Sequence, residues 1–228
     1  RLDAAQRSFL ESAAVYPEAP PVTRLEPRLL VRAAGIPQPL VDRLVFPTAA
    51  WTEIGSGTRR HADGALHLGG DAAGRPGVHH AMDLANTFLQ FSVRVGAGGR
   101  AALELGPVGA PVAEIMLDAS GVAVRSRGGE STAIAEVRTE GKADLWRNVL
   151  VEFLPGEIGV AVDGLPVLRA SMAAIPVRRH EGFALTRHAG DVAFRDVWAT
   201  TGEPAPDGAA GRGRGRRGKA AKGAGGEP

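Results

Sequence analysis

Apolar and polar residues alternate along much of the chain between residues 44 and 200. The clearest segment is Thr87–Val95, TFLQFSVRV, in which positions 89, 91, 93 and 95 are apolar and positions 90, 92 and 94 are polar. Successive side chains of a β-strand point to opposite faces of the sheet, so this pattern predicts a half-buried strand.

Similar short segments recur at intervals of about 8–12 residues, the spacing expected of β-sandwiches. They predict strands over residues 44–46, 51–54, 65–69, 77–82, 101–105, 112–117, 122–126, 132–137, 148–153, 158–162, 165–169, 182–185 and 192–199. Asp163-Gly164 predicts a tight hairpin, and residues 170–176 predict one helical turn. No helix of ordinary length fits between the strands, which argues against a parallel sheet. The predicted fold class is all-β, an antiparallel two-sheet jelly-roll sandwich.

The two ends of the chain differ from this central region. Residues 1–16 have apolar positions at helical spacing before Pro17, and six prolines follow between residues 17 and 41. We therefore predict a short N-terminal helix and a proline-rich leader over 1–42, and the sandwich over 43–201. Residues 202–228 are rich in glycine, alanine and charge, which predicts a disordered basic C-terminal tail.

Charge is distributed unevenly. The chain has a net charge of +2, but residues 211–228 alone carry six basic residues and one acid, so the preceding part is mildly acidic. A broad basic surface for nucleic acid is therefore not expected. The Gly-Arg repeats of the tail could still make weak contacts with the phosphates of nucleic acid. The alternative is that the tail only increases solubility.

Composition excludes several kinds of site. The chain has no cysteine, so it has no disulfide, no thiol nucleophile and no cysteine zinc site. No apolar segment approaches the roughly 20 residues of a membrane span. Phosphate-binding loops, nucleophile elbows and dinucleotide fingerprints are also absent from the sequence.

Five segments in order resemble the 3-keto-disaccharide hydrolase domain family. They are Trp51 with HADGALHL (61–68), TFLQFSVRV (87–95), AEIMLD (113–118), LWRNVLVEFLPGEIGVAVDGLPV (145–167) and HEGFALTRHAGDVAFRDVWA (180–199). The resemblance implies a concanavalin-like jelly roll, a carbohydrate partner, and a secreted or periplasmic location, although no signal peptide is visible in this chain. The chain departs from the family pattern in three places. GAGGRAALELG at residues 96–106 replaces an Asn-Ser-Gly segment, Asp196 stands where Asn is common, and His188-Ala189-Gly190 replaces a direct His-Gly.

Two functions are compatible with these observations. The resemblance implies a carbohydrate-active domain related to 3-keto-glycoside hydrolases. The alternative is a glycan-binding or cell-surface interaction module without catalysis on the same fold, which the missing Asn-Ser-Gly segment favours. The sequence therefore leaves open whether the protein is an enzyme.

Glycosidic cleavage needs a proton donor and a base or nucleophile in one cleft. Glu104, Glu114 and Asp118 lie on adjacent predicted strands, and the spacing of four places Glu114 and Asp118 on one face. His188 matches the histidine of the family. These four are the candidate catalytic residues, with a solvated outer face, or a turn position for Asp118, as the alternative. The ligands of a divalent metal, the candidate cofactor, are not identified by the spacing.

Substrate contacts are predicted for Trp51, Trp146 and Arg195. An indole face suits the apolar face of a sugar ring. For Trp146 the alternative is a position in the core or at a sheet rim. For Arg195 the alternative is an ion pair with Glu152 or Asp196.

Overall fold

The computed structural model describes residues 40–70, 74–127, 132–138, 141–154, 156–171 and 182–201. These residues form fifteen β-strands and no helix. They therefore contain no helix that is long and apolar enough to cross a membrane. The first eight strands are β1 (Leu40–Asp42), β2 (Thr52–Ile54), β3 (Thr58–Ala62), β4 (Ala65–Gly69), β5 (Gly77–His80), β6 (Thr87–Val95), β7 (Arg100–Leu105) and β8 (Ala113–Asp118). The others are β9 (Gly121–Ser126), β10 (Thr132–Arg138), β11 (Trp146–Leu154), β12 (Glu157–Val162), β13 (Leu165–Ser171), β14 (Phe183–Ala189) and β15 (Val192–Thr201).

The strands form two antiparallel sheets. One has seven strands in the order β10-β9-β8-β7-β14-β5-β2. The other has eight, in the order β13-β12-β11-β6-β15-β4-β3, with β1 paired to β15 beside β4. The predicted all-β two-sheet sandwich is confirmed.

The core lies between the sheets and follows the predicted alternation. In β6, Leu89, Phe91, Val93 and Val95 are buried in the core cluster. The ring of Phe91 lies 6.0 Å from that of Phe194 in β15. Side chains at the intervening positions face away from the core, so each sheet also has an outer face on which polar groups collect.

The hairpin predicted at Asp163-Gly164 joins β12 to β13. Both residues have positive φ, 53° and 83°, the conformation that a tight two-residue hairpin requires and that Asp-Gly adopts readily. The carboxylate of Asp163 also accepts a hydrogen bond from the backbone N–H of Asn148 at 2.7 Å. The turn is thereby tied to the neighbouring strand β11.

Some local predictions differ from the structure. Residues 44–46 do not form a strand, because Leu44 has a φ of 56° and its N–H bonds to the carboxylate of Asp42, which turns the chain. Strands β1 and β3 were not predicted, and β1 lies before residue 43, the predicted start of the sandwich. Residues 170–171 continue β13. The predicted N-terminal helix, residues 172–176 of the predicted helical turn, and the basic tail lie outside the described residues.

Candidate functional site

The outer face of the seven-stranded sheet carries two glutamates side by side. Glu104 in β7 pairs in register with Glu114 in β8. Their sequence neighbours Leu103 and Ile115 lie in the core, so the two carboxylates point away from it. Two adjacent acids on one face require neutralising partners, because like charges placed opposite each other destabilise a sheet.

His188 supplies one partner. It is the extra residue of a β-bulge in β14, since Arg187 pairs with Ala101 and Ala189 with Arg100. The bulge brings His188 Nε2 to 3.1 Å from Glu104 Oε1 and to 3.9 Å from Glu114 Oε2.

The turn after the bulge depends on a glycine. Gly190 has a φ of 57°, and a Cβ atom there would lie 2.5 Å from the Cα of Gly99. The His-Ala-Gly segment therefore gives β14 the close turn into β15 that holds His188 in place.

Arg127 supplies the second partner. Its Nε donates a hydrogen bond to Glu114 Oε2 at 2.8 Å, its Nη2 donates to the same oxygen, and Nη2 lies 3.9 Å from Glu104 Oε1. The side chain of Glu114 is only 4% exposed. We call Glu104, Glu114, His188 and Arg127 the charged cluster. It is a nearly buried network in which each carboxylate has a cationic or imidazole partner.

The charged cluster changes the ionisation of Glu104. Burial opposes the charged form, but the hydrogen bond and charge of His188, with the charges of Arg127 and Arg75, together lower the pKa of Glu104 below its ordinary value of 4.5. Glu104 is therefore a carboxylate at neutral pH.

This shift predicts a pH dependence of stability. Because the folded-state pKa of Glu104 is depressed, its stabilising contribution is complete above pH 4.5 and disappears as the pH falls through the folded-state pKa. Glu104→Gln should therefore unfold at lower urea than the wild type at neutral pH, and the difference in unfolding free energy should shrink in acid. A difference that stayed constant or grew on acidification would contradict this account of Glu104.

A cleft of about 340 Å³ lies beside the charged cluster on the same outer face. Met116 and Ala123, which pair in register between β8 and β9, form its apolar floor. The polar side chains around it are Arg100, Asp118, Ser120, Arg125, Glu136 and Arg138. Arg125 is the register partner of Glu114, so the cleft and the charged cluster are contiguous.

Asp118 lies at the cleft but not in the charged cluster. It ends β8 on the same face as Glu114, as predicted, and its Oδ1 accepts hydrogen bonds from the backbone N–H and hydroxyl of Ser120 at 2.7 and 2.8 Å. Asp118 therefore fits the alternative of a turn acid, and the structure does not bring it to His188 with the two glutamates.

Trp51 lies immediately before β2, against the sandwich core. Its indole N–H donates to Asp42 at 2.9 Å, and its ring lies 5.7 Å from Phe183 and 5.1 Å from His80. The ring is packed among other rings and is not part of the cleft lining. This position is that of a tryptophan packed at the rim of a sheet and not that of a sugar-stacking platform in the cleft.

Trp146 and Arg195 lie together, but on the other sheet. The guanidinium carbon of Arg195 is 4.1 Å from the centroid of the Trp146 ring, and that of Arg94 is 5.3 Å away. Arg195 also lies 3.6 Å from Asp196, one of the two alternative partners. The structure thus separates these two predicted substrate contacts from the charged cluster by the full thickness of the sandwich, because β11 and β15 belong to the eight-stranded sheet.

The charged cluster contains three side chains with atoms that could bind a divalent metal. One donor atom each from Glu104, Glu114 and His188 lies within 4.8 Å of the others, and carboxylate and imidazole are suitable ligands. However, Glu114 Oε2, the oxygen that faces His188, already accepts two hydrogen bonds from Arg127. The guanidinium holds the position of positive charge that a metal would take, so we assign no metal to this cluster.

Several residues of this face were not predicted from the sequence. Arg127 follows β9, and Arg100, Arg125 and Arg138 belong to strands whose order in the sheet is set by the fold. The sequence does show Arg125 and Arg127 two residues apart, a spacing that places both on one face.

No protein-family profile matches the chain, and no curated protein matches its sequence. Solved structures with the same fold do. A Bacillus subtilis protein of unknown function with a galectin-like fold superposes with a TM-score of 0.61 at 13% identity, over 72% of this chain and 96% of that one. The carbohydrate-binding module CBM66 of Bacillus subtilis gives 0.55 at 16% identity, over 67% and 96%. A prokaryotic β-1,3-1,4-glucanase from a mouse hindgut metagenome gives 0.52 at 15% identity, over 71% and 98%. These similarities establish a galectin-like and concanavalin-like jelly-roll fold.

Proposed function

We propose that the protein binds carbohydrate in the cleft on the outer face of the seven-stranded sheet. The observation that carries this proposal is the combination of an apolar floor, Met116 and Ala123, with charged and hydroxyl side chains around a volume of about 340 Å³. A pyranose has an apolar face and a rim of hydroxyl groups, and an apolar floor surrounded by polar side chains complements both. The names of the structural neighbours, which include a carbohydrate-binding module and a glucanase, support the same class of ligand.

The ionised state of Glu104 favours binding over catalysis, because this carboxyl group has no proton to donate. Glycoside hydrolysis requires a carboxylic acid or another donor to protonate the leaving oxygen. Glu104 is held as a carboxylate, and Glu114 is bonded to Arg127. Burial raises the pKa of Glu152, but Glu152 belongs to β11 in the other sheet. The charged cluster therefore acts in this proposal as a rigid wall of the cleft.

Hydrolysis of 3-keto-glycosides is the second candidate function. It is favoured by the adjacency of Glu104 and Glu114 to His188 and by the family resemblance. In this scheme a protonated His188 donates to the leaving group and Glu104 acts as the base. A secreted or periplasmic location is part of both proposals, because extracellular glycans would then be the ligands.

The proposal is tested by titrating a panel of oligosaccharides, including 3-keto-disaccharides, by calorimetry while chromatography follows the products. We expect binding without cleavage. Ala123→Phe places a ring on the cleft floor and should reduce affinity by about 10-fold or more, the effect of losing about 1.4 kcal/mol. Cleavage abolished by Glu104→Gln would establish the second candidate instead.

Ala161→Phe is the matched control. Ala161 is as buried as Ala123, 8% against 7% exposed, and faces outward from the eight-stranded sheet. We expect its affinity to equal that of the wild type. Binding that survives Ala123→Phe but is lost in Ala161→Phe would place the site on the eight-stranded sheet and contradict the proposal.

A further inference from the structure

Three arginines line the cleft, and none of them is neutralised by an ion pair with a carboxylate of the described residues. Arg100, Arg125 and Arg138 all contribute to its wall. Among residues 40–201 that the structure describes, no ion pair includes any of the three. By contrast, Arg127 and Arg147 each bond to a carboxylate.

Arg125 shows why a positive charge is left over. The register of β8 and β9 places it directly beside Glu114, but Glu114 bonds to Arg127 instead. The Nε atom of Arg125 is buried and has no hydrogen-bond acceptor within the described part of the chain. A buried donor without an acceptor is costly, so the fold leaves the Arg125 guanidinium incompletely bonded. Because Arg125 also lines the cleft, its side chain favours a ligand that brings an acceptor oxygen there.

The acids of the cleft reduce its charge without removing it. Asp118 and Glu136 also line the wall, and an oxygen of Asp118 already accepts from Ser120. Among the residues that line the cleft, three guanidinium groups against two carboxylates leave one positive charge in excess. This balance fits a saccharide with one anionic group on the bound ring, while the carboxylates remain available to accept from its hydroxyl groups.

We infer that the ligand of this cleft is an anionic saccharide, whose carboxylate or sulfate group is bound by Arg125 with Arg100 and Arg138, and whose ring lies on Met116 and Ala123. The planar guanidinium matches the geometry of both oxyanions and binds them through paired hydrogen bonds. The inference rests on the proposed function, since it specifies the chemical class of the glycan that the same cleft binds.

Calorimetry with three oligosaccharides of equal length tests the inference: an oligogalacturonate, a sulfated galactan oligosaccharide and a neutral cello-oligosaccharide. We expect at least one anionic ligand to bind about 10-fold or more tightly than the neutral one at low salt, the effect of one charge-assisted hydrogen bond. Added salt should weaken that affinity. A preference for the uronate or for the sulfate ester identifies which oxyanion the arginines bind.

Two variants locate the effect. Arg125→Gln should lose that preference for the anionic ligand while its weak neutral binding remains, and Arg138→Gln, at an exposed position, provides the same test with little risk to folding. Arg60→Gln is the control, because Arg60 is exposed on β3 in the other sheet, and it should bind as the wild type does.

The inference and the proposed function fail in different ways. Equal affinity for neutral and anionic ligands, or a preference that persists in both cleft variants, would overturn the inference and leave carbohydrate binding intact. Failure of all three oligosaccharides to bind, together with the wider panel, would overturn both.

Discussion

Replacing Arg127 by glutamine should lower the free energy of unfolding by about 3 kcal/mol. Removing one partner of a buried ion pair costs about 3–5 kcal/mol, because the other charge stays buried without compensation. Glu114 is the charge left behind, with a side chain only 4% exposed. The lower end of the range applies because the Arg127 side chain is 22% exposed and water enters from that side.

The sandwich offers a matched control for this variant. Arg169 pairs with Glu157 between β13 and β12, and both side chains are much more exposed, 63% and 38%. Exposed pairs contribute about 0–1 kcal/mol, so Arg169→Gln should change the urea midpoint little. Equal losses in the two variants would show that the charged cluster is not the buried network described above.

Phe194→Ala should cost about 3–5 kcal/mol, as large-to-small changes of a buried phenylalanine do. Phe194 in β15 is fully buried and packs against Phe91 of the neighbouring strand β6. Truncation leaves a cavity in the middle of the eight-stranded sheet, which rigid paired strands cannot close. Thermal or urea unfolding measures the loss.

Phe46→Ala is the corresponding control. Phe46 is 73% exposed, and surface substitutions of this kind usually change stability by no more than about 0.5 kcal/mol. A small loss at Phe194, comparable with that at Phe46, would contradict the placement of β15 in the centre of its sheet.

Strand positions were predictable because period-two alternation records which side chains face the core. Thr87–Val95 was predicted with the boundaries that the structure has. The misses are short or irregular: β1 has three residues, and β3 reads Thr-Arg-Arg-His-Ala, with no apolar alternation to reveal it. At Leu44 the apolar residue is buried, but the local turn excludes a strand.

The charged cluster was only partly predictable. Alternation identifies the face of a strand on which Glu104 or Glu114 lies, and the family resemblance pointed to His188. Whether such residues meet depends on strand order and register, which follow from pairings between distant segments such as β7 and β14. The same limit explains why Trp146 and Arg195 were predicted as substrate contacts, although they belong to the sheet opposite the carboxylates.

The carbohydrate cleft is tested most directly by mapping a bound oligosaccharide with backbone and indole NMR shifts. If the ligand binds in the cleft, titration moves the amide signals of Met116, Ala123 and Arg125, and leaves the indole signal of Trp146 unchanged. Shifts confined to Trp146 and Arg195, on the outer face of the eight-stranded sheet, would contradict binding in the cleft.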